Sequence, residues 1–155
     1  MRPASGFTLI ELLVVMVIMG ITLGLASLSV LPGRQQSLHG EAERIALLLQ
    51  MARDEAIVRN RQVAFEAGPN GYRFLVRNDS RWQPITSDDL LRERSFKHGP
   101  LLLTVEPASG AGTAALPLSI IFGREPVDKP FLLTLANAEH RVAIRADGIG
   151  HFTVE

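Results

Sequence analysis

The sequence contains no cysteine, and its 16 basic residues are balanced by 16 acidic ones, so its formal net charge at pH 7 is zero. Without cysteine the chain can form no disulfide, carry no catalytic thiol and offer no thiolate to a metal ion. Without net charge it produces no overall field that would attract a polyanion. Composition therefore excludes thiol chemistry, and we expect no nucleic-acid partner.

The sequence also lacks the spacings that mark catalytic and metal sites. Asp88-Asp89 does not have the alternating oxygen ligands of a calcium loop, and Gly148 with Gly150 forms only a fragment of a dinucleotide-binding loop. No serine, histidine and acid stand at a spacing that indicates a catalytic triad. We expect no catalytic residue, metal ion, cofactor or small-molecule substrate, and the histidines have no ligand spacing among themselves: His39, His98, His140 and His151.

What is present is an apolar run of about 25 residues, Phe7 to Leu31, which is long enough to cross a bilayer as a helix. It holds one carboxylate, Glu11. A charge at membrane depth costs a few kcal/mol, so an acid there indicates a functional site that needs a partner. Arg2 precedes the run without an acid, which predicts a cytoplasmic N-terminus. The alternatives are a Glu11 that reaches the headgroups and a secretory signal cut near Ser27.

The stretch Gly6–Glu11, GFTLIE, followed by an uninterrupted apolar segment, resembles the class III signal of type IV pilins and type II secretion pseudopilins. The resemblance implies that a prepilin peptidase removes a leader, residues 1–6, by cutting between Gly6 and Phe7, and then methylates Phe7. It also implies that Glu11 pairs with the Phe7 amine of a neighbouring subunit. In a low dielectric such a pair attracts strongly, whereas either charge alone is heavily penalised.

Two glycines lie on one face of the predicted membrane helix, residues 7–31. Gly20 and Gly24 are four positions apart, which is the small-xxx-small arrangement that lets two helices approach closely in lipid. We therefore predict helix packing at these glycines, with the ordinary composition of an apolar helix as the alternative. A kink or short break is expected at Pro32-Gly33, because proline disfavours helical geometry in the residue before it.

Helical periodicity resumes after this point and predicts an amphipathic continuation of the helix over residues 34–60. We expect its apolar stripe to pack on the protein's own domain and its charged face to meet other subunits. A stripe that packs only on partner helices is the alternative. The stripe consists of Leu38, Ala42, Ile45, Leu48, Leu49, Ala52 and Ala56.

From Gln62 onward the pattern changes to alternation and short apolar runs separated by turns, which predicts an antiparallel β-domain over residues 62–155. Gly68-Pro69-Asn70-Gly71 predicts a hairpin, because Asn-Gly tolerates a positive φ. Residues 106–116, rich in Gly, Ala, Ser and Pro, predict a mobile loop. The predicted strands are Val63–Glu66, Tyr72–Val76, Leu101–Val105, Leu118–Phe122, Phe131–Leu135, Arg141–Arg145 and His151–Val154.

Two further features of this domain, a tryptophan and a pair of arginines, have competing interpretations. Trp82 is predicted to be a core or sheet-packing aromatic, with a subunit contact as the alternative. Arg73 and Arg77 share one face of a predicted strand, and that face could meet DNA phosphates or an acidic partner subunit, or simply be solvated.

The C-terminal half resembles the H-type minor pseudopilins and the related minor pilins, in the segments Phe122-Gly123, Leu132–Leu135, Arg141–Ile144 and Asp147–Gly150. The resemblance implies a pilin-like α+β fold, in which a long N-terminal helix packs on an antiparallel two-sheet β-domain. It implies a structural subunit rather than an enzyme, near the tip of the periplasmic pseudopilus that drives folded proteins across the outer membrane.

The implied partners are the prepilin peptidase, the major pseudopilin and the other minor pseudopilins. The implied location is the bacterial inner membrane, crossed once, with the C-terminal domain in the periplasm before incorporation into the fibre. One alternative is a minor pilin of a type IV pilus or competence system, including one that binds DNA. The other is a membrane-anchored periplasmic enzyme or solute-binding domain.

Overall fold

A computed structural model describes residues 8–28, 34–86, 88–97, 99–107 and 117–155, in two units that divide after Gly33. The first unit contains α1 (Leu9–Leu28), and the second contains α2 (Arg34–Val58) and nine strands. The predicted break at Pro32-Gly33 and most of the predicted loop at 106–116 lie outside the described residues.

In this described part of the chain, no helix combines the length and the apolar character that a membrane crossing requires. The predicted span of residues 7–31 includes residue 7 and residues 29–31, which lie outside the described part, so the span stays a prediction.

Helix α2 occupies the range in which helical periodicity was predicted, and its end has a clear local cause. Asn60 adopts a φ of 52°, the left-handed conformation that terminates many helices. The Arg61 N–H then donates to the Ala56 carbonyl at 3.0 Å, and the Asn60 N–H donates to the Ile57 carbonyl at 3.2 Å. This pair of bonds is a Schellman motif, which satisfies carbonyls that the last helical turn leaves free.

The strands form two antiparallel sheets. Sheet A has five strands in the order β3-β2-β1-β6 with β4 also paired to β2, and sheet B has four in the order β5-β7-β8-β9. All seven predicted strands are confirmed to within one or two residues, whereas β3 and β4 were not predicted. The strand bounds are β1 Val63–Gly68, β2 Gly71–Asn78, β3 Arg81–Pro84, β4 Arg94–Ser95, β5 Leu102–Glu106, β6 Leu118–Phe122, β7 Phe131–Ala136, β8 Arg141–Ala146 and β9 Phe152–Val154.

The β1–β2 hairpin is confirmed, with Gly68 paired to Gly71, but the predicted reason for it was wrong. Neither Asn70 nor Gly71 is among the described residues with a positive φ. A Cβ on Gly71 would instead overlap the carbonyl oxygen of Arg94. Glycine is therefore needed at this position because β4 closes against the backbone of β2, which local sequence does not reveal.

The core lies between α2 and the two sheets. Helix α2 contacts β1 and β6 of sheet A and β8 and β9 of sheet B. The apolar stripe predicted for this helix is buried along its whole length, so the interpretation that it packs on the chain's own domain is confirmed. The stripe residues with their exposed fractions are Leu38 4%, Ala42 0%, Ile45 0%, Leu48 5%, Leu49 0%, Ala52 0% and Ala56 0%.

Candidate functional site

The start of α1 is organised by Thr8 and Glu11. The Glu11 N–H lies 3.4 Å from the Thr8 hydroxyl and donates to the Thr8 carbonyl at 3.1 Å. Thr8 is thus the N-cap residue, and Glu11 is at the third helical position, where a carboxylate is favoured by the helix dipole. The spacing Thr-x-x-Glu is the signature of a capping box, a signal of helix initiation that our sequence interpretation did not use.

The Glu11 carboxylate is exposed, and among the described residues none forms an ion pair with it. Gly6 and Phe7, the predicted processing residues, lie outside the described part of the chain. The predicted pairing of Glu11 with an amine therefore stays a prediction.

Around Glu11, the apolar side chains of α1 that the structure describes are exposed on every side. A helix that is apolar all round is stable only when lipid or other apolar surfaces surround it. The surface consists of Leu9, Ile10, Leu12, Leu13, Val14, Val15, Met16, Val17, Ile18, Met19 and Ile21, each exposed by 45% or more.

Both predicted packing glycines, Gly20 and Gly24, lie in α1. A Cβ placed on Gly20 would meet nothing within 4 Å. The nearby Thr22 hydroxyl bonds to the carbonyls of Ile18 and Met19 at 2.9 and 3.0 Å, so this polar group is satisfied within the helix. The surface beside Gly20 is therefore open to a neighbouring helix.

The sequence suggested that the outer face of α2 is charged, but this face also carries apolar residues. Leu47, Met51 and Val58 are exposed by 64%, 36% and 80%. Their spacing of four and seven residues places them on one side of the helix, as in the seam of a coiled coil. We call these three residues the outer line of α2. Sequence reasoning missed it because the stronger buried stripe dominates the periodicity.

The outer face of sheet A carries the arginines singled out from the sequence. Arg73 is held by Glu66 through two hydrogen bonds of 3.0 and 2.8 Å, whereas Arg77 donates to the Gln62 amide oxygen at 2.9 Å. The Arg77 guanidinium carbon lies 5.8 Å from the centroid of the Trp82 ring, a cation–π contact. Trp82 lies on β3 and is 36% exposed, so the prediction that it is a core residue was wrong. The other part of that prediction, that it packs on the sheet, still holds.

The turn at residues 147–151, which resembles the family's glycine turn, is built around Asp147. One carboxylate oxygen accepts from the N–H groups of Ile149, Gly150 and His151 at 2.8, 3.0 and 3.0 Å. The other lies 2.6 Å from the His151 Nδ1. Burial acts to raise the pKa of Asp147, but the hydrogen bonds from His151 and Ile149 outweigh it and lower this pKa to about 2.

This turn is locked to the rest of the domain through its glycines and Arg53 of α2. Gly148 has a φ of 83°, and a Cβ on it would overlap the Asp128 carbonyl oxygen. The Arg53 guanidinium donates to the Pro126 carbonyl and lies where a side chain on Gly150 would project. The family-like glycine turn therefore holds the end of the chain against the helix, which is a structural role.

One carboxylate is buried beneath the first turns of α2. Glu41 is 7% exposed and lies 3.3 Å from Arg44. Burial raises the pKa of the adjacent Tyr72, and the Glu41 charge adds to this, against the opposing charges of Arg44 and Arg94. Within the described ranges, no group of three or more histidines and acids could hold a metal ion.

Comparison with known proteins matches nearly the whole chain. A family model described as type II transport protein GspH matches residues 41–150, and one described as prokaryotic N-terminal methylation motif matches residues 1–27. Type II secretion system protein H of Pseudomonas aeruginosa is 41% identical over 91 residues, which are 57% of this chain and 53% of that protein. The protein of the same name from Aeromonas hydrophila is 31% identical over 105 residues, 66% of this chain and 57% of that one. The chain thus spans little more than half of these curated relatives.

Solved structures with this fold include the minor pseudopilin EpsH from the type II secretion system of Vibrio cholerae. Two of its structures match with TM-scores of 0.59 and 0.62 and identities of 18% and 16%, covering 76% and 79% of this chain and 94% and 98% of theirs. The solution structure of Escherichia coli GspH matches with a TM-score of 0.51 and 18% identity, over 78% of this chain and 90% of that one. At these identities the likeness establishes the fold.

Proposed function

Because the chain belongs to the type II transport protein GspH family, whose model matches residues 41–150, we propose that it is a minor pseudopilin of the type II secretion system. It acts as a structural subunit near the tip of the periplasmic pseudopilus, which drives folded proteins across the outer membrane. The observation that carries the proposal is the family match over the β-domain together with the N-terminal methylation motif over residues 1–27.

The chain is processed at its N-terminus before it assembles. The prepilin peptidase cuts between Gly6 and Phe7 and methylates the new amine of Phe7. Residues 7–31 hold the mature chain in the bacterial inner membrane as a single span, with the leader on the cytoplasmic side and the β-domain in the periplasm. The apolar sequence of this segment, in which Glu11 is the only charged residue, and the methylation-motif match support this.

Glu11 directs assembly by pairing with the Phe7 amine of a neighbouring subunit. Removal of the leader creates that amine four residues before the acid. Thr8 begins the helix between them, so Glu11 projects from the first turn of α1 into an apolar surface. An unpaired carboxylate among apolar groups is strongly unfavourable because it loses its hydration. The amine of a correctly placed neighbour offsets this desolvation cost. Apolar burial alone does not specify order, whereas a single charge pair does.

Replacing Glu11 with glutamine tests this pairing directly. Glu11→Gln keeps the size of the side chain and removes its charge, so we expect normal cleavage with loss of fibre incorporation, measured by co-purification of the variant with sheared pseudopili. Glu125→Gln is the matched control, because Glu125 is an exposed acid outside both helices, and we expect this variant to be incorporated as the wild type is. Normal incorporation of Glu11→Gln would remove the charge-pair mechanism.

Apolar helix contacts supply the remaining affinity between subunits. Gly20 and Gly24 let the first helix approach its neighbours closely. Because a Cβ on Gly20 would meet nothing within 4 Å, Gly20→Leu should leave the isolated chain folded and lower only its incorporation. An unchanged yield of this variant in pseudopili would show that the glycine face is not a packing site.

The partners are therefore the prepilin peptidase, the major pseudopilin and the other minor pseudopilins, and the chain performs no turnover and binds no cofactor. Mass analysis after co-expression with a prepilin peptidase should find a mature chain that begins at methylated Phe7, and an intact leader would contradict the proposal. Deletion of the gene should stop release of secreted enzymes while twitching and DNA uptake continue. Lost transformation with continued secretion would instead identify a competence pilin.

A further inference from the structure

A cavity of about 530 Å³ opens beside the first turns of α2. It is bounded by α2, by the segment that connects β4 to β5 and by the turn that connects β7 to β8, so it lies wholly within the second unit. Its volume falls within the range of about 300–1,000 Å³ that is usual for ligand pockets. The apolar part of its wall consists of Leu38, Phe96, Pro100, Leu101 and Ala138.

One buried carboxylate also lines this cavity. Glu41 is 7% exposed, and it is the only charged side chain that is buried in the part of the chain that the structure describes. Removing a carboxylate from water is costly unless hydrogen-bond donors replace its hydration. An apolar residue at this position would extend the buried stripe of α2 without that cost, so the acid indicates a role beyond packing.

The carboxylate of Glu41 is only partly satisfied. Its Oε2 lies 3.3 Å from Nη2 of Arg44, whereas its Oε1 has no hydrogen-bond partner among the described residues. The hydroxyl of the adjacent Tyr72 has no partner there either, so these two groups do not bond to each other. The last torsion of a glutamate is broad, so a small rotation presents an oxygen to the cavity. A donor that enters the cavity would therefore complete the site.

The charges around the cavity favour a cationic occupant. Two carboxylates, Glu41 and Glu139, and one ammonium group, that of Lys97, belong to its lining. Lys97 is exposed and the Arg44 side chain is 35% exposed, so water screens both cations, whereas Glu41 is shielded from water. A buried charge acts more strongly on its surroundings than a solvated one, so Glu41 dominates the field inside the cavity.

We infer that this cavity receives an arginine side chain of another subunit of the same fibre, with its guanidinium group at Glu41. The aliphatic stem of arginine packs on apolar walls while its head reaches a charged partner. A guanidinium group is more weakly hydrated than an ammonium group and stacks on aromatic rings, and Phe96 supplies a ring in the wall. The inference rests on the proposed function, because it names the chemistry that a fibre partner brings.

Binding of a soluble arginine probe tests the chemistry of the cavity. The full chain in mild detergent, with labelled leucine methyl groups, is titrated with Nα-acetyl-arginine N-methylamide and with its citrulline analogue, which has nearly the same shape but no charge. We expect the arginine probe to shift the methyl signals of Leu38 and Leu101, and the citrulline probe to bind about tenfold more weakly or less. Equal binding of the two probes would overturn the inference.

Three variants separate recognition from folding. Glu41→Gln keeps the size of the side chain and removes its charge, so it should weaken binding of the arginine probe about tenfold or more while the circular dichroism spectrum stays unchanged. Glu125→Gln, at an exposed acid outside the lining, should bind the probe as the wild type does. Lys97→Gln removes the cation at the rim and should strengthen binding about two- to fivefold.

The Lys97 variant keeps the inference testable even if Glu41→Gln does not fold, because Lys97 is exposed. An anionic occupant would bind this variant more weakly than the wild type. An unchanged or lower affinity for the arginine probe would therefore contradict recognition of a cation.

Site-specific crosslinking in cells identifies the partner. A photoreactive residue replaces Ala138, an exposed residue of the lining, in the full chain expressed with all other subunits of the secretion system. We expect an adduct with another fibre subunit beside an arginine, and Glu41→Gln should lower its yield about tenfold. A photoreactive residue at Thr153, exposed on β9, is the positional control and should not give this adduct. Replacing the contacted arginine with glutamine should lower the yield equally, and no further when combined with Glu41→Gln.

The outcomes distinguish the inference from the proposed function. If the wild-type chain is processed and restores secretion, but the Ala138 adduct is absent, is insensitive to Glu41→Gln or joins a secreted protein, the inference fails and the function stands. If the wild-type chain is neither processed nor restores secretion, the proposed function itself fails.

Discussion

Replacing Gly148 with alanine should destabilise the second unit, and the cost can be worked out from two separate contributions. The φ of 83° requires an L-residue to adopt a left-handed conformation, which costs about 1–2 kcal/mol. The new Cβ would also overlap the Asp128 carbonyl oxygen and lie 3.2 Å from the Pro130 nitrogen, a form of overpacking worth about 1–3 kcal/mol. The reduced entropy of the unfolded chain returns about 0.4–1 kcal/mol. We therefore expect a net loss of about 1–5 kcal/mol.

Three other glycines separate the two contributions. Gly99 has a φ of 89° with nothing within 4 Å of a Cβ, so Gly99→Ala isolates the backbone strain and should cost about 1 kcal/mol. Gly71 lacks a positive φ, but its Cβ would overlap the Arg94 carbonyl oxygen, so Gly71→Ala isolates the overlap and should cost about 1–3 kcal/mol. Gly68 has neither feature, and Gly68→Ala should be neutral or slightly stabilising.

The assay is urea unfolding of the full chain in mild detergent, followed by far-UV circular dichroism and by the emission of the single tryptophan. Equal m-values across the set would show that the variants unfold in the same transition. The loss for Gly148→Ala should approximate the sum of the losses for Gly99→Ala and Gly71→Ala, because each contribution is local. A Gly148→Ala variant as stable as Gly68→Ala would refute the reasoning from turn geometry.

Two further predictions concern pH and the two faces of α2. Hydrogen bonds lower the pKa of Asp147 from 3.8 to about 2, so the stability it contributes is complete above about pH 4 and is lost as pH falls towards 2. The difference in urea midpoint between wild type and Asp147→Asn should therefore shrink over this interval, and a constant difference would contradict it. Leu49→Ala, at a fully buried position, should cost about 2–5 kcal/mol in the same assay, whereas Leu47→Ala, at an exposed position, should change stability by less than about 0.5 kcal/mol. If the outer line of α2 contacts other subunits, Leu47→Ala should nevertheless lower incorporation into pseudopili, and wild-type incorporation would exclude that role.

The spacing of apolar residues along the sequence was sufficient to predict those helices and strands whose formation depends on residues close together in the chain. The three- and four-residue steps from Leu38 to Ala56 predicted α2 and its buried face, because one side of this helix meets both sheets. Alternation predicted the strands of sheet B, whose inward positions all enter the core. Strand β3 was missed because every residue from Arg81 to Pro84 is exposed, so the edge of the sheet carries no alternation of burial.

The candidate sites divide in the same way. The stretch Gly6–Glu11 was recognisable from sequence because its motif occupies six adjacent positions, and its processing and the pairing of Glu11 stay predictions. The outer line of α2 was not, since exposure of Leu47 and Val58 depends on which side of the helix the sheets cover. The role of Gly71 was misassigned because its reason is the approach of β4.

The sequence by itself determined the family, the helical and strand periodicities and the position of Glu11 at the third residue of a capped helix, because these depend on neighbouring residues. The tertiary structure alone decided which surfaces remain open. When β1 and β3 pair with β2, Gln62, Arg77 and Trp82 come together on one face of sheet A, and Arg61, Asn78 and Arg81 come together on the other. Strand register, a long-range property, thus decides which face of the sheet each of these side chains occupies.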